Sequence, residues 1–330
     1  MSDVANVDVQ PEAGPDTGKP GSRPRVTPTV AAYGAAVLVG VVGQVLHPGF
    51  LGSAHLSTVL SLVAVLGIVA AGQTFVIITG GIDLSVSGIL AFAEVMTPYW
   101  IQGHSSRWPV LLLIIVVAAA LGVINAVGIT VFAIQPMIMT LGVGTIMTGA
   151  VLVFTGGSST GTPPAWLAHS MARNGWLSGL LITWVVVSVL AYLMLHRSTF
   201  GRRVFAIGTS ARAARLAGIR SWPTLLGVYS FSAVTAAIAG IVLAGYTGSG
   251  DFGVGDTYLF PSIGAVVIGG TSILGGRGGY TGTIAGVLIL GIIDSILTLS
   301  NIAAAGRQIA QGLAILLILI LYARERRLRQ

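Results

Sequence analysis

Three observations predict an all-α integral membrane protein of about ten transmembrane helices, interrupted by Gly-rich breaks. First, 54% of the 330 residues are hydrophobic and only 8% are charged, whereas a soluble domain carries about 25% charged residues. One large core does not account for that deficit, so most of the chain belongs in lipid. Second, apolar segments close to the ~20 residues a span requires recur along the chain. Third, the basic residues gather at Lys19–Arg25, in a central island from His196 to Thr224, and at Arg324–Arg329, as expected of segments retained on the cytoplasmic side. The 46 glycines fit the same reading, because small residues let membrane helices approach closely.

Residues 1–28 are polar, rich in Pro, Gly and Asp, and lack apolar periodicity. They predict a disordered cytoplasmic tail. A signal peptide is excluded because the first basic residue, Lys19, follows a polar, acidic stretch. A single transmembrane domain then runs over 29–322. Its spans are predicted at 29–46, 57–78, 84–101, 109–133, 136–155, 176–195, 225–246, 259–275, 280–299 and 304–322. Six spans separate the first basic cluster from the island and four separate the island from the last, so all three clusters fall on one side, as the positive-inside rule demands. The 156–175 loop is Gly-, Ser- and Pro-rich with Trp166 and Trp176 at its flanks, as suits an interfacial loop. A basic cytoplasmic tail closes the chain at 323–330.

Two Gly-Gly interruptions, at 79–84 and 276–279, are either tight cytoplasmic turns or breaks within the membrane. Irregular backbone at membrane depth is tolerated only where it is buried in protein or lines a cavity, and transporters use such breaks near their substrate path. Gly72–Gly88 (GQTFVIITGGIDLSVSG) and Gly264–Gly282 (GAVVIGGTSILGGRGGYTG) share a β-branched run, a Gly-Gly pair and a polar cluster. Carboxylates in or beside the spans are few: Asp83, Glu94 and Asp294. Such groups are costly in lipid and mark functional sites. Asp83 reads as a pathway or gating residue or, more simply, as the cap of the following helix. Glu94 and Asp294 read as partners of polar groups on neighbouring helices. Gln73 and Asn125 each bring donors and an acceptor that must be matched. By polarity and position, the pathway or gating candidates are Gln73, Gly80, Gly81, Asp83, Ser85, Asn125 and Thr140.

Other chemistries are set aside. There are no cysteines, so no thiolate metal site and no thiol nucleophile. No GxxxxGK[ST] phosphate loop is present, and HExxH and GxSxG are absent too. The five histidines fall in or beside loops, which leaves the spans without a Ser–His pair. The net charge of +7 reflects topology beside anionic headgroups rather than nucleic-acid binding.

GQTFVIITGGIDLSVSG resembles the signature of the permease subunits of bacterial ABC sugar importers, the ribose/xylose/galactoside type of the branched-chain amino-acid and sugar permease family. The resemblance continues through GVINAVGITVFAIQPMIMTLGVGTIMTGAVLVFTGG, FGRRVFAIGTSARAARLAGI and FPSIGAVVIGGTSILGGRGGYTGTIAGVLILGIID, covering roughly 30–322. It implies no enzymatic activity or cofactor in this chain. It implies three kinds of partner: a cytoplasmic ATPase, an extracytoplasmic solute-binding protein, and a second permease copy, identical or different. The island then looks like the family's ATPase-coupling loop, with Gly201, Arg202, Arg203, Gly208, Arg212, Ala213, Ala214, Arg215 and Gly218 as its contact residues. ARAARLAGI is predicted to form a short amphipathic helix with Ala211, Ala214 and Ala217 on a small-residue face. The chain departs from the family at Asn125-Ala126, where Asn-Gly is usual, at Thr209-Ser210, and in the TLSNI segment. An ion-coupled secondary transporter is the competing expectation, since that class also uses intramembrane carboxylates and broken helices.

Overall fold

The computed structural model describes residues 28–174 and 177–327. The predicted N-terminal tail therefore lies outside the described residues except for Pro28, as do Trp176 and Arg329. The helices are α1 (Pro28–Leu46), α2 (Ser53–Ile78), α3 (Ser85–Ile101), α4 (Pro109–Thr130), α5 (Pro136–Thr155), α6 (Ala165–Met171), α7 (Gly179–His196), α8 (Thr199–Thr209), α9 (Ala211–Leu216), α10 (Ser221–Thr247), α11 (Val254–Ile268), α12 (Tyr280–Leu299) and α13 (Ala304–Arg327). One two-residue antiparallel pairing, Arg173–Asn174 with Leu177–Ser178, precedes α7.

Long helices fall on all ten expected segments, but only seven among the described residues are long and apolar enough to cross a membrane. Helix α3 has 17 residues and α11 has 15, and α13 is not among the seven. Several boundaries move. Helix α11 starts at Val254 and stops at Ile268, so 269–275 is not helical although Ile273 and Leu274 read as span. Helix α13 continues past 322 to Arg327. The 156–175 loop contains α6, whose Leu167 is buried. The island contains two helices, α8 and α9, rather than one.

Local chemistry sets the ends. Pro109 and Pro136 open α4 and α5, where a missing N–H costs nothing. Ser178, Ser198 and Ser210 accept from Leu181, Gly201 and Ala213 and so cap α7, α8 and α9. Nearly all of α2 is buried, with α10 and α3 beside it. The outer helices turn Val37, Leu38, Leu113, Val116 and Val185 outward, as lipid-facing surfaces should. Close packing uses small residues: Gly72 lies on Ser232, and Gly122 on the backbone of Tyr229 and Ser230.

The start of α1, the end of α7 and the start of α12 meet at one end of the bundle. There Tyr33 donates to the Thr281 carbonyl (3.0 Å), and His196 lies against Gly279. Helix α13 begins beside the far end of α12 and runs back for 24 residues, about 36 Å. The three places where the basic clusters join the bundle thus share one end.

Candidate functional site

Helix α2 stops where its sequence reaches Thr79-Gly80-Gly81. Gly80 takes φ +85°, its N–H returns to the Ile77 carbonyl (2.9 Å), and the N–H of Gly81 returns to Val76 (3.1 Å). Helix α11 stops the same way. Gly270 takes φ +90° and bonds Val267 (2.9 Å), and Thr271 bonds Val266 (3.2 Å). Both are Schellman-type stops, in which a left-handed glycine lets the chain satisfy the helix's last carbonyls. The two similar sequences therefore build the same backbone device twice.

After the first stop the chain turns back along α2, and five of the sequence-predicted residues hold it there. Gln73 Nε2 donates to the Asp83 carbonyl (2.6 Å). Asp83 Oδ1 accepts from the N–H (3.0 Å) and Oγ (2.6 Å) of Ser85. Asn125 Nδ2 donates to Ser85 Oγ (2.9 Å). Thr140 Oγ1 accepts from the Leu84 N–H (2.9 Å) and donates to the Pro136 carbonyl (2.9 Å). Asp83 serves the helix start as expected, but from one position before the cap residue, Leu84. Gly81 is required by its neighbour, since an added Cβ would stand 2.5 Å from the Tyr229 hydroxyl.

These side chains are sealed: Gln73, Asp83, Ser85, Asn125 and Thr140 are all 0% exposed, so none lines an open passage in this conformation. The knot also leaves acceptors unmatched. Gln73 Oε1, Asp83 Oδ2 and Asn125 Oδ1 are buried without hydrogen-bond partners, and the Ser232 hydroxyl, a potential donor, stands beside the Asp83 carboxylate. Tyr229 and Ser232 of α10 were missed from sequence.

The island meets the same place. Helix α8 buries Gly201, Val204 and Ile207 and exposes Arg202 and Arg203, an amphipathic helix of period three to four. Its last turn lies on both breaks. The Gly276 N–H donates to the Ile78 carbonyl, the last of α2 (2.9 Å). Gly208 packs against that carbonyl and amide so closely that any side chain would collide with them. Gly276 in turn rests on Thr209. In α9, Arg212, Ala213, Arg215 and Gly218 are exposed, whereas Ala214 is buried. The expected Ala211/Ala214/Ala217 contact face is therefore split: Ala214 packs inward, and Ala211 and Ala217 face out. Gly218 (φ +79°) ends α9 and lets Ile219 bond the Ala214 carbonyl (2.9 Å).

Among the other carboxylates, Asp294 is paired as expected, with Arg307 (3.6 Å) and Gln311 (2.9 Å). Glu94 lies near Asp251, and its buried Oε2 has no hydrogen-bond partner. One histidine does enter a span: His55, in the first turn of α2, bonds Ser295 of α12 (2.9 Å), while His47 bonds Ser300 (3.0 Å) just beyond the ends of α1 and α12. Neither contact includes the orienting carboxylate an acyl-transfer triad needs. No group of three or more His, Asp or Glu that could hold a metal occurs among the described residues.

A bundle of apolar helices with two matched breaks, and a basic surface helix packed at one end, defines a multi-pass membrane protein. The family model described as "Branched-chain amino acid transport system / permease component" matches residues 55–322. The chain belongs to this family. It is 36% identical over 293 residues to the ribose import permease protein RbsC of Bacillus subtilis, covering 87% of this chain and 90% of that one. It is 32% identical over 262 residues to the autoinducer 2 import system permease protein LsrD of Photorhabdus laumondii (77% and 78%). It is also 32% identical over 305 residues to the inner membrane ABC transporter permease protein YjfF of Escherichia coli K12 (90% and 92%). No solved structure matches.

Proposed function

We propose that the chain is the membrane-spanning subunit of an ATP-binding-cassette importer for a monosaccharide of pentose or hexose size. A separate cytoplasmic ATPase sits on α8 and α9, an external binding protein delivers the sugar, and a second permease copy completes the pathway. The N-terminus, the island and the C-terminus are cytoplasmic. Residues 29–322 act as one permease domain, flanked by the tail at 1–28 and the basic end at 323–330.

The observation that carries this reading is the joint formed by Gly208, Ile78 and Gly276. A force applied to the arginine face of α8 reaches the last carbonyl of α2 directly, and the Gly-rich segment between α11 and α12 at Gly276. Arg202, Arg203, Arg212 and Arg215 make the outer contact, with Ala213 and Gly218. Gly201, Gly208 and Ala214 hold the helices to the bundle. The knot of Gln73, Asp83, Ser85, Asn125 and Thr140, with Gly80 and Gly81, is the gate that this movement rearranges. Relatives described as ribose and autoinducer 2 import permeases support a small polyhydroxyl solute.

Co-expression with a cognate ATPase and binding protein tests the reading. The ATPase should co-purify with the wild-type chain and be lost from an Arg202→Glu/Arg203→Glu variant that still inserts. A second reading, gradient-driven transport, draws on the unpartnered oxygens of Asp83 and Glu94. Uptake that persists without any ATPase and collapses with the ion gradient would establish it instead.

A further inference from the structure

Next to α8, an open groove of about 800 Å³ runs between the end of α4, helix α9 and the start of α10. Local sequence shapes it. Gly218 takes φ +79° and ends α9. Its N–H bonds the Arg215 carbonyl (3.0 Å), and the N–H of Ile219 bonds Ala214 (2.9 Å). This tight turn brings Arg215, from α9, and Arg220, just before α10, into the lining of one groove. The rest of the lining comes from two helices long and apolar enough to cross a membrane: Ile129 and Thr130 from α4, and Trp222 and Leu225 from α10.

The groove carries two positive charges and no negative one. Both arginines are exposed, and among the described residues neither has a carboxylate partner. Asp83 and Glu94 are sealed inside the bundle, Asp294 is committed to Arg307, and Asp251 and Asp256 flank the start of α11 at the opposite end. Two guanidinium forks without a counter-charge suit the oxygens of a phosphate. The surface around them is apolar. Trp222 is 42% exposed, and the two residues after Thr130, Val131 and Phe132, are 64% and 70% exposed. An indole beside arginines at the ends of spanning helices belongs at the headgroup level of a bilayer. There the ring and the arginine stems lie against acyl chains while the charged heads stay in the polar layer. A soluble anion would use the arginines alone; a phospholipid uses both parts of the groove.

We propose that this groove binds one anionic phospholipid, with Arg215 and Arg220 on its phosphate and Trp222 and Leu225 against the upper part of its acyl chains. A lipid seated there lies between α9 and the α4–α10 pair, so it ties the basic island to the spans. Anionic lipids of the cytoplasmic leaflet supply the matching charge. Arg220 and Trp222 stand outside the ATPase contact proposed above, so the two surfaces are separable by substitution. The site depends on the membrane setting of the chain and not on the importer reading.

Native mass spectrometry of the full chain in mild detergent tests this, with titration of dioleoyl-phosphatidylglycerol, dioleoyl-phosphatidylcholine or glycerol 3-phosphate. The expected result is one tightly held phosphatidylglycerol, preferred over phosphatidylcholine, and no retained glycerol 3-phosphate. Arg220→Gln should weaken its binding about fivefold, the effect of one arginine at an anionic surface. Trp222→Ala should weaken it as well, while Arg220→Lys, which keeps the charge, should retain most of it. Equal binding of the two lipids would show that acyl chains alone are recognised and overturns the proposal. Glycerol 3-phosphate bound as tightly as the lipid would make this a site for a soluble phosphate and overturns the lipid assignment. Phosphatidylglycerol binding unchanged in an Arg215→Gln/Arg220→Gln variant would place the lipid elsewhere and overturns it too. ATPase co-purification with Arg220→Gln is measured alongside and should match wild type. Its loss with lipid binding unchanged would assign the groove to the ATPase instead.

Discussion

Ser85 shows how the sealed knot is held at the level of single atoms. Its hydroxyl donates to Asp83 and accepts from Asn125, so one small side chain joins the break to α4. Interhelical hydrogen bonds in membrane proteins contribute about 0.6 kcal/mol on average and up to about 1.7 kcal/mol. Asn125→Ala should therefore lower stability by roughly 0.5–2 kcal/mol, read as thermal unfolding of the purified chain in mild detergent. Asp83→Ala removes the acceptor for the Ser85 N–H and should cost about 1–2 kcal/mol, while Asp83→Asn keeps an acceptor there and should melt closer to wild type. Equal melting of both Asp83 variants would show that the carboxylate does not hold the helix start. Much of this knot was legible in the sequence, because Gln73, Asp83 and Asn125 stand out as polar in apolar surroundings. Ser232 and Tyr229 were not. A helical serine usually bonds its own backbone and a tyrosine reads as apolar bulk, so nothing in the chain marked either as facing Asp83. Arg307 was hidden in the same way, within a run read as one more span.

At the level of elements, α8 packs on the stop of α2 and on Gly276, in the segment that follows the stop of α11. A Cβ on Gly80 would meet only the Leu274 carbonyl, at an ordinary 3.7 Å, so Gly80→Ala tests the left-handed backbone and should cost about 1–2 kcal/mol, measured by the same melt. Gly208→Val tests the joint. It should leave the spans inserted but reduce sugar uptake by at least tenfold, with ATP hydrolysis no longer stimulated by loaded binding protein; retained stimulation would mean that force does not pass through this contact. Arginine density picked out the island as a functional element but hid its organisation. The spacing of Gly201, Val204 and Ile207 carried the pattern of α8, yet attention to ARAARLAGI placed the amphipathic helix one element too late. The end of α11 was misread because hydropathy counts Ile273 and Leu274, while the backbone obeys Gly269-Gly270.

Across the whole molecule, α2 runs from His55 near one end to the contact of Ile78 with Gly208 at the other, with the sealed knot beside Gln73 between them. The start of α1, the end of α7 and the start of α12 meet at the joint's end, and α13 runs back toward it; that this end is cytoplasmic is the proposal the charge argument makes. The spanning count was less legible, since α3 and α11, with 17 and 15 residues, are bounded by the Gly-Gly breaks and fall short of the usual length of a span. The most direct test of the account is sugar uptake into proteoliposomes containing the chain and its ATPase, with binding protein outside and ATP inside. The account predicts uptake that requires all three components, survives dissipation of ion gradients, and is abolished by Arg202→Glu/Arg203→Glu. Uptake by the chain without the ATPase would contradict it.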